Sequence, residues 1–567
     1  MNEQPWLKSY PKGVRWDLDM VSEPVQQILD GTVERWPDRP AIEFMGKRIS
    51  YRELGAVTDR AAKGLQQLGV GPGVHVGLYL PNTPHCVIAF FAILKAGGTV
   101  VNYSPLDAAR VLEHKIDDSR TDFLFTLDLA GLYPNMAGML GRTRLKKLIV
   151  GNMAELTPAP EQVAARMKVG KQLAEVAWDS RHVAFASLQD NNGQYVRHPI
   201  ADPADAVAVL QYTGGTTGLP KGAMLTHGNL TAATAQYVES TRGDPPVLDD
   251  GAERFLCVLP PFHIYALTVN MLFGLRIGAE LIQHARFDPK AALDDISNKK
   301  ITVFCGVPTM FTALIDHPET PRHDLRTLKF CGSGGAPLPI EVAQRYQEVA
   351  GVPVSEGWGM TETSPTGTFT PLGGGKAGSC GIPLPRVTLR MLSLEDPMKY
   401  VPLGQKGEMC IAGPNVMKGY WNNAGAMAES TTSDGLFRTG DVAYMDEDGY
   451  VFIVDRCKDM LLCSGYNVYP RVLEEAIYLH PSVSEACVIG IPDPYRGQSP
   501  KAFVALKKGA GSFTLEQLQA FLRDKLGKHE MIQALEIRPE LPKTAVGKLS
   551  KKDLVDEEAR RRAGAAA

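Results

Sequence analysis

Strand and helix patterns alternate along much of this chain, and the alternation limits the sheets that it can form. Residues 73–80 alternate polar and apolar side chains as a strand does, residues 83–95 form an apolar helical segment, and residues 99–102 are the next short apolar run. The same order recurs within residues 301–349, with strands predicted at 301–305 and 328–331 and helices at 309–315 and 340–349. A strand–helix–strand order is typical of parallel sheets covered by helices, so we predict an α/β fold.

The chain is long enough to form more than one domain. It has 567 residues, of which 44% are hydrophobic, whereas single cores rarely extend beyond about 250–300 residues. Strand patterns rich in glycine and tyrosine precede Asp455, at residues 407–411 and 444–454. The patterns of a compact α+β unit follow it, at residues 470–479, 483–491 and 515–526. We therefore predict a large domain over residues 1–455 and a small domain over residues 456–567.

Composition argues against several classes of protein. The formal net charge of −3 leaves no basic excess of the kind that nucleic-acid-binding proteins carry, so we expect no nucleic-acid partner. The nine cysteines are scattered, odd in number and without a CxxC pair, which favours reduced thiols over disulfides or a zinc site. The polar first 20 residues and the lack of a run of about 20 apolar residues predict a cytoplasmic protein. The sequence leaves open whether the protein contacts the inner face of the membrane and whether it forms a homodimer.

The loop at residues 213–221 has the composition of a phosphate-binding loop, and it follows an apolar strand pattern at residues 206–210. Glycines let backbone N–H groups approach an anion closely, threonines add hydroxyl donors, and Lys221 adds a positive charge. The other loop residues concerned are Thr213, Gly214, Gly215, Thr216, Thr217 and Gly218. A Walker A loop would place Ser or Thr after the lysine, and here Gly222 follows it. The sequence thus predicts a triphosphate-binding loop of a different kind.

Together with four further motifs, this loop resembles the phosphate loop of the adenylate-forming superfamily, which includes acyl-CoA synthetases, luciferases and nonribosomal adenylation domains. The motifs follow in the family's order over nearly the whole chain: Gly334 to Pro337, Glu356 to Thr363, Tyr420-Trp421 followed by Asp434 to Asp441 and Asp455 to Asp459, and Leu541 to Lys548. The resemblance implies a large N-terminal domain of βαβ-type sheets sandwiched by helices, with a small β-barrel-like subdomain. It also implies a small, mobile C-terminal α+β domain that carries a catalytic lysine.

The resemblance further implies an ATP site built from these motifs. Besides the phosphate loop, its nucleotide contacts would be Gly335, Ala336, Pro337, Trp358, Gly359, Met360, Asp441 and Arg456. Trp358 stands where most relatives have a tyrosine that stacks on adenine, and Asp441 corresponds to the carboxylate that holds the ribose hydroxyls. The magnesium ligands would be Thr217 and Glu362, because a carboxylate beside phosphates requires a cation between them.

Residues of both predicted domains would share the chemistry. The catalytic residues implied by the resemblance are Lys548, Thr361, Glu362 and His263. Lys548 would bridge the substrate carboxylate and the α-phosphate, where negative charge accumulates in the transition state. Lys458 would mark the hinge about which the small domain turns, and the path of coenzyme A and the acyl group would pass Gly465 and Tyr265.

Residues 212–227, 259–267 and 458–470 are similar to segments of bacterial long-chain fatty acid–CoA ligases. The similarity implies that the chain uses ATP and Mg²⁺ to form an acyl-adenylate from a fatty acid and then transfers the acyl group to coenzyme A. The apolar residues 267–275 would either wall an acyl tunnel or belong to the core.

Other functions stay open at this point. The chain could be a ligase for a medium-chain or aryl carboxylic acid, or a fatty acyl-AMP ligase that delivers to a separate carrier protein. A non-catalytic nucleotide- or lipid-binding module is disfavoured, because such a module would not need Glu362, Asp441 and Lys548 together.

Overall fold

The computed structural model describes residues 4–156, 172–213, 220–464, 466–544 and 549–565, with side chains up to residue 562. Two large, mostly parallel sheets lie in the N-terminal part, a four-stranded antiparallel sheet follows, and a five-stranded sheet lies in the C-terminal part. This mixed α/β architecture with a small C-terminal domain confirms the predicted fold class. Within the described part of the chain, no helix combines the length and apolar character needed to cross a bilayer.

The first large sheet has eight strands, six of them mutually parallel. In spatial order they are Gly419–Tyr420, Gly222–Thr226, Val207–Tyr212, Thr99–Asn102, His75–Leu78, Thr121–Leu127, Lys147–Gly151 and His182–Ala184. The central strand His75–Leu78 is buried at every position, as expected for a parallel strand covered on both faces. Antiparallel pairing of Gly222–Thr226 with Val207–Tyr212 returns the chain beside the strand that precedes the predicted phosphate loop.

The second large sheet has seven strands, of which six are parallel. In spatial order they are Val354–Glu356, Phe330–Ser333, Val303–Gly306, Arg254–Cys257, Glu280–Gln283, Pro40–Phe44 and Lys47–Ser50. The two motifs Gly334 to Pro337 and Glu356 to Thr363 therefore follow neighbouring parallel strands and leave the sheet at the same edge.

Helices cover these sheets. They are Gln26–Arg35, Tyr51–Gln67, Pro84–Ala96, Ala109–Asp118, Tyr133–Ala137, His227–Ser240, Phe273–Arg276, Pro289–Asn298, Pro308–Ile315, Ile340–Ala350 and Ala424–Glu429. Pro84–Ala96 is buried along its entire length; proline starts it, where a missing N–H costs nothing, and Gly97 ends it with a φ of 92°. The segment Ala266–Leu272 forms a π-helix that is also wholly buried in the main core. The apolar residues 267–275 are therefore buried, Met271 also lines a small cavity, and an acyl tunnel along this segment stays a prediction.

In the four-stranded antiparallel sheet, one strand predicted from the sequence is in fact two strands. Its strands, in spatial order, are Thr388–Leu392, Gly407–Ala412, Phe437–Met445 and Val451–Arg456, and a two-stranded ribbon of Thr368–Phe369 with Ile382–Pro383 lies apart from it. The single strand predicted at residues 444–454 was wrong, because a turn separates two paired strands there. Asp446 Oδ1 accepts the backbone N–H groups of Asp448 and Tyr450, and Gly449 has a φ of 83°.

The C-terminal part has its own sheet and core. Its strands are Tyr466–Val468, Leu461–Cys463, Gly497–Leu506, Val483–Asp493 and Ala534–Arg538, and its helices are Pro470–Tyr478, Leu515–Leu522 and Lys551–Ala565. The helix predicted at residues 515–526 is thus shorter than expected. Leu473, Ile477, Val504 and Leu518 belong to one buried cluster of this part alone. The small C-terminal domain is therefore confirmed, whereas its boundary after residue 455 stays a prediction.

Candidate active site

The register of the seven-stranded sheet brings the motifs at residues 334–337 and 356–363 together at one edge. Ser333 and Glu356 are paired at the ends of their parallel strands, and Gly357 N–H donates to the carbonyl oxygen of Ser333 at 3.2 Å. The turn at Gly335, Ala336 and Pro337 therefore lies beside the segment that starts at Gly357. Gaps at the carboxyl ends of parallel strands are where open α/β sheets bind ligands.

Glycine is required at one position of these turns, and little space is left for a side chain at another. A Cβ atom at Gly359 would lie 1.8 Å from the carbonyl oxygen of Pro365, so the backbone of the motif can be this close only without a side chain. A Cβ atom at Gly334 would lie 3.1 Å from the ring of Tyr265, whose hydroxyl donates to the carbonyl oxygen of Gly332 at 3.2 Å. Tyr265 therefore packs under the turn at residues 334–337.

Glu362 lies in a 3₁₀ turn, Thr361–Thr363, directly after Met360, and its side chain is only 6% exposed. The hydroxyl of Tyr420 donates to Glu362 Oε1 at 2.6 Å. Burial raises the pKa of Glu362, and the Tyr420 hydrogen bond and the charges of Arg456 and Lys221 oppose that rise. A buried carboxylate of this kind could bind a metal cation that also contacts a phosphate group.

Lys221 brings the end of the predicted phosphate loop to the same place. Its ammonium lies 5.0 Å from the centroid of the Tyr420 ring, and Thr213 N–H donates to the Lys221 carbonyl oxygen at 2.9 Å. Both ends of the loop are thus fixed beside the Tyr420–Glu362 pair. The loop residues between them, Gly214, Gly215, Thr216, Thr217 and Gly218, lie outside the described residues.

Asp441 is the second buried carboxylate, and it is 3% exposed. The indole N–H of Trp358 donates to Asp441 Oδ2 at 2.7 Å, and Arg456 Nε lies 2.9 Å from Asp441 Oδ1. Burial raises the pKa of Asp441, and the Arg456 charge and the Trp358 hydrogen bond oppose the rise. The structure thus brings Trp358 together with Asp441 and Arg456, which belong to a different sequence motif and are paired on neighbouring strands.

The predicted hinge lies directly after these residues. Asp455 accepts the backbone N–H groups of Arg456 through Oδ1 and of Arg471 through Oδ2, each at 2.8 Å. Lys458 is exposed, and partial desolvation followed by the charge of Arg456 lowers its pKa. The strand end at Ser464 has a φ of 53°, and Gly465 lies outside the described residues.

Lys548 also lies outside the described residues, so the structure does not test its predicted position. The described residues on either side of that segment, Lys543 and Leu549, pair as an isolated antiparallel bridge. The ammonium of Lys543 lies 2.6 Å from Glu485. These contacts fix the two ends of the motif on the C-terminal domain.

His263 lies in the segment after the strand Arg254–Cys257. Its Nδ1 accepts the backbone N–H of Tyr265 at 3.4 Å. An adjacent cavity has mostly apolar walls with three polar residues; its lining includes Val87, Leu259, Pro261, Ala266, Met271, Leu281, Asn82, Asn270 and Gln283. Pro261 and Ala266 flank His263 and Tyr265 in sequence, so the predicted catalytic His263 and the predicted acyl-path residue Tyr265 lie near this cavity.

Sequence reasoning missed the polar residues that support the phosphate loop. Tyr212, directly before the loop, donates to Asp118 Oδ2 at 2.5 Å. Gln211 donates to the carbonyl oxygen of Phe262 at 2.7 Å and accepts from Asn102 at 2.8 Å. Polar side chains at the ends of two neighbouring apolar strands, Asn102 and Gln211, were the signal that could have indicated this edge.

A metal centre made of protein side chains alone is not present in the part of the chain that the structure describes, where no group of three or more His, Cys, Asp or Glu could hold an ion. Mg²⁺ in nucleotide sites typically binds one or two carboxylates together with substrate phosphates and water. Glu362, buried and close to the loop ends, fits that use.

The parallel-sheet cores, the motif loops at their edges and the small C-terminal domain define an adenylate-forming enzyme. Family models of AMP-binding enzymes match residues 29–421, and models of their C-terminal domain match residues 472–548. This chain belongs to the AMP-binding enzyme family.

Individual proteins are similar over nearly the full length. The chain is 38% identical to a long-chain-fatty-acid–CoA ligase of Bacillus subtilis (strain 168), with 98% of each chain covered. It is 36% identical to a long-chain-fatty-acid–CoA ligase of Escherichia coli O6:H1, covering 97% of this chain and 98% of the relative. The crystal structure of ATP-bound MatB from Rhodopseudomonas palustris superposes with a TM-score of 0.82 at 27% identity, covering 95% of this chain and 99% of that one.

Proposed function

We propose that this chain is an AMP-forming acid–thiol ligase that activates a long-chain fatty acid with ATP and transfers it to coenzyme A. The observation that carries the proposal is the proximity of two buried carboxylates from different motifs. Tyr420 joins Glu362 to Lys221. Arg456, which pairs with Asp441, also acts through its charge on Glu362. The two relatives named above, both long-chain-fatty-acid–CoA ligases over their full length, support the choice of substrate.

In the proposed binding mode, Asp441 accepts the ribose hydroxyls and the turn at residues 335–337 lies against adenine. Thr361 and the loop at residues 213–221 donate hydrogen bonds to the phosphates. Mg²⁺, held by Glu362 and Thr217, would neutralise phosphate charge when bound. The acyl chain would enter near Tyr265, where the small, mostly apolar cavity lined by Pro261 and Ala266 would have to widen to hold a long chain.

Two chemical steps follow from this arrangement. A carboxylate oxygen of the acid attacks the α-phosphorus, the bond to the bridging oxygen breaks, and pyrophosphate leaves with the electron pair. The thiol of coenzyme A then attacks the acyl carbonyl, AMP leaves, and the thiol proton passes to solvent. Two anions must meet in the first step, so the positive charges of Lys221 and Lys548 would stabilise its transition state.

The same proposal gives the C-terminal domain a moving role. Lys548 would reach the α-phosphate in the first step, and rotation near Lys458 would bring Gly465 toward the acyl group in the second. The domains would be residues 1–455 and 456–567.

Replacing the proposed catalytic lysine tests the first step. We expect Lys548→Ala to lower pyrophosphate release by at least about a hundredfold while ATP affinity changes by less than about tenfold, since the lysine acts on transition-state charge. Pyrophosphate release and equilibrium ATP binding are the measurements, and Lys552→Ala, at an exposed lysine four residues further on, is the matched control. Unchanged pyrophosphate release in Lys548→Ala would remove the lysine from the mechanism.

The substrate is tested with a panel of acids. Pyrophosphate release is measured with saturated acids of increasing length and with aryl acids, in the presence and absence of coenzyme A. Fastest turnover on long chains with coenzyme A present supports the proposal. Fastest turnover on aryl or medium-chain acids would reassign the substrate, and acyl transfer only to a phosphopantetheinyl carrier protein would reassign the acceptor.

A further inference from the structure

The carboxylate of Asp441 is held by side chains on both of its oxygen atoms. Trp358 Nε1 donates to Oδ2 at 2.7 Å, and Arg456 Nε lies 2.9 Å from Oδ1. Each carboxylate oxygen can accept more than one hydrogen bond, so both retain acceptor capacity for a further donor. The orientation of the carboxylate decides where that capacity points.

The two partners differ in how firmly they are held. The side chain of Arg456 is 46% exposed, whereas Trp358 is 9% exposed and belongs to the main core. Backbone hydrogen bonds fix Trp358 further, because its N–H donates to Thr368 Oγ1 at 3.0 Å and its carbonyl oxygen accepts from Gly367 at 2.9 Å. The buried indole, rather than the exposed guanidinium, is therefore the fixed donor.

Gly367 makes room for this particular ring. A Cβ atom there would lie 2.5 Å from Cζ3 of Trp358 and 2.8 Å from Cδ1 of Ile411. The six-membered side of the indole thus packs against a position that has no side chain, while the N–H on its other side reaches Asp441. Tyrosine and phenylalanine have no N–H at the corresponding place on their rings.

We propose that Trp358 is a positioning residue that orients the Asp441 carboxylate, so that its remaining acceptor sites receive the ribose hydroxyls of ATP. The inference rests on the proposed function, which assigns the ribose to Asp441. Trp358 then contributes to nucleotide affinity through the carboxylate and not only through contact with adenine. Loss of the indole N–H leaves the carboxylate free to turn toward the exposed Arg456.

The experiment measures dissociation constants of ATP, 2′-deoxy-ATP and 3′-deoxy-ATP without acid substrate, for the unaltered chain and for Trp358→Phe and Trp358→Tyr. In the unaltered chain we expect removal of a ribose hydroxyl to weaken binding about tenfold. In both variants we expect ATP to bind about tenfold more weakly and the penalty for the missing hydroxyl to fall below about threefold. In an Asp441→Asn background, Trp358→Phe should add less than about twofold.

The maximal rate of pyrophosphate release at saturating ATP separates positioning from general damage. We expect this rate to change by less than about threefold in both variants while the Michaelis constant for ATP rises. Because each penalty is a ratio within one variant, partial unfolding does not change it. Gly367→Ala, which keeps the indole but displaces its ring, provides a second route and should reproduce the reduced penalty.

The outcomes are distinguishable. Equal deoxy-nucleotide penalties in the unaltered chain and in the variants would overturn the inference and leave Trp358 with a stacking or packing role alone. Retention of the full penalty in Trp358→Tyr would also overturn it, because the indole N–H would then be dispensable. If the unaltered chain binds ATP and both deoxy-nucleotides equally, the ribose assignment of Asp441 fails, and the inference fails with it.

Discussion

Glu356 lies at the end of the strand Val354–Glu356, partly buried, where the large domain meets Arg471 and Glu475 of the C-terminal helix Pro470–Tyr478. Burial raises its pKa to about 7, and the charge of Arg471 and the Leu338 N–H, 3.4 Å from Oε1, oppose the rise. The folded protein therefore holds this proton over a range of pH in which the unfolded chain, with a pKa near 4.5, has lost it.

The raised pKa predicts a fall in stability with increasing pH. The contribution of Glu356 to the free energy of unfolding is fully present below pH 4.5 and is lost as the pH rises through about 7. Over that range the free energy of unfolding falls by up to about 1.4 kcal/mol per pH unit. We expect Glu356→Gln to flatten the dependence of the unfolding free energy on pH between 5 and 7. Denaturant unfolding at several pH values measures this, and an unchanged slope would contradict the role of this carboxyl.

Tyr420 supplies a hydrogen bond to Glu362 that no other described side chain supplies. This hydrogen bond orients the Glu362 carboxylate and opposes the rise of its pKa on burial, which favours the ionised form, so we expect Tyr420→Phe to weaken binding of magnesium–ATP about tenfold or more. Titration of pyrophosphate release with magnesium at fixed ATP measures the effect. Tyr444→Phe, a tyrosine of the four-stranded sheet, is the control, and equal magnesium dependence in both variants would exclude a role for the Tyr420 hydroxyl.

At the scale of elements, an ion pair joins the last helix to the helix that follows the hinge. Lys551, at the start of Lys551–Ala565, lies 3.1 Å from Glu474 and 4.0 Å from Asp455. Glu474 also accepts the backbone N–H of Val488 at 2.8 Å. Burial raises the pKa of Glu474, and Lys551 opposes that rise.

We expect Lys551→Met to destabilise the C-terminal domain by about 2 kcal/mol, because the variant leaves a largely buried carboxylate without its cation. Glu474→Gln in addition should restore most of the loss, since it removes the charge that lacks a partner. Thermal or denaturant unfolding of the single and double variants measures this coupling. Strictly additive losses would contradict it.

At the scale of the whole molecule, an exposed ion pair connects the N-terminal and C-terminal parts of the chain. Lys507 Nζ lies 2.9 Å from Glu341 Oε1 of the helix Ile340–Ala350, and the side chains are 38% and 41% exposed. Exposed pairs contribute about 0–1 kcal/mol, so this contact is weak enough for a domain rotation to break.

Charge reversal at this contact tests the proposed motion. We expect Lys507→Glu to increase the rate of proteolysis near residues 456–459 about threefold, because two carboxylates then face each other, while the unfolding temperature stays within about 1 °C. Lys508→Glu makes the same charge change one residue away and is the matched control. Equal proteolysis in both variants would show that the pair does not hold the domains together.

The sequence by itself determined the alternation of strands and helices, the order of the motifs and the residue types at each proposed contact. These depend on local spacing: the strand Thr99–Asn102 and the helix Pro84–Ala96 agree closely with their predicted positions because period and glycine or proline boundaries are local signals. Residues 446–449, Asp-Glu-Asp-Gly, form a turn between two apolar stretches, and the prediction overlooked this local signal and joined two strands that are separate.

Only the tertiary structure decided which side chains touch. Trp358 and Asp441 are 83 residues apart and Glu362 and Tyr420 are 58 apart, and no local pattern encodes their hydrogen bonds. Such contacts arise from the packing of several sheets at once, which brings strand ends together at distances that spacing along the chain does not set. Composition therefore supplied the chemical groups of the site, and packing supplied their partners.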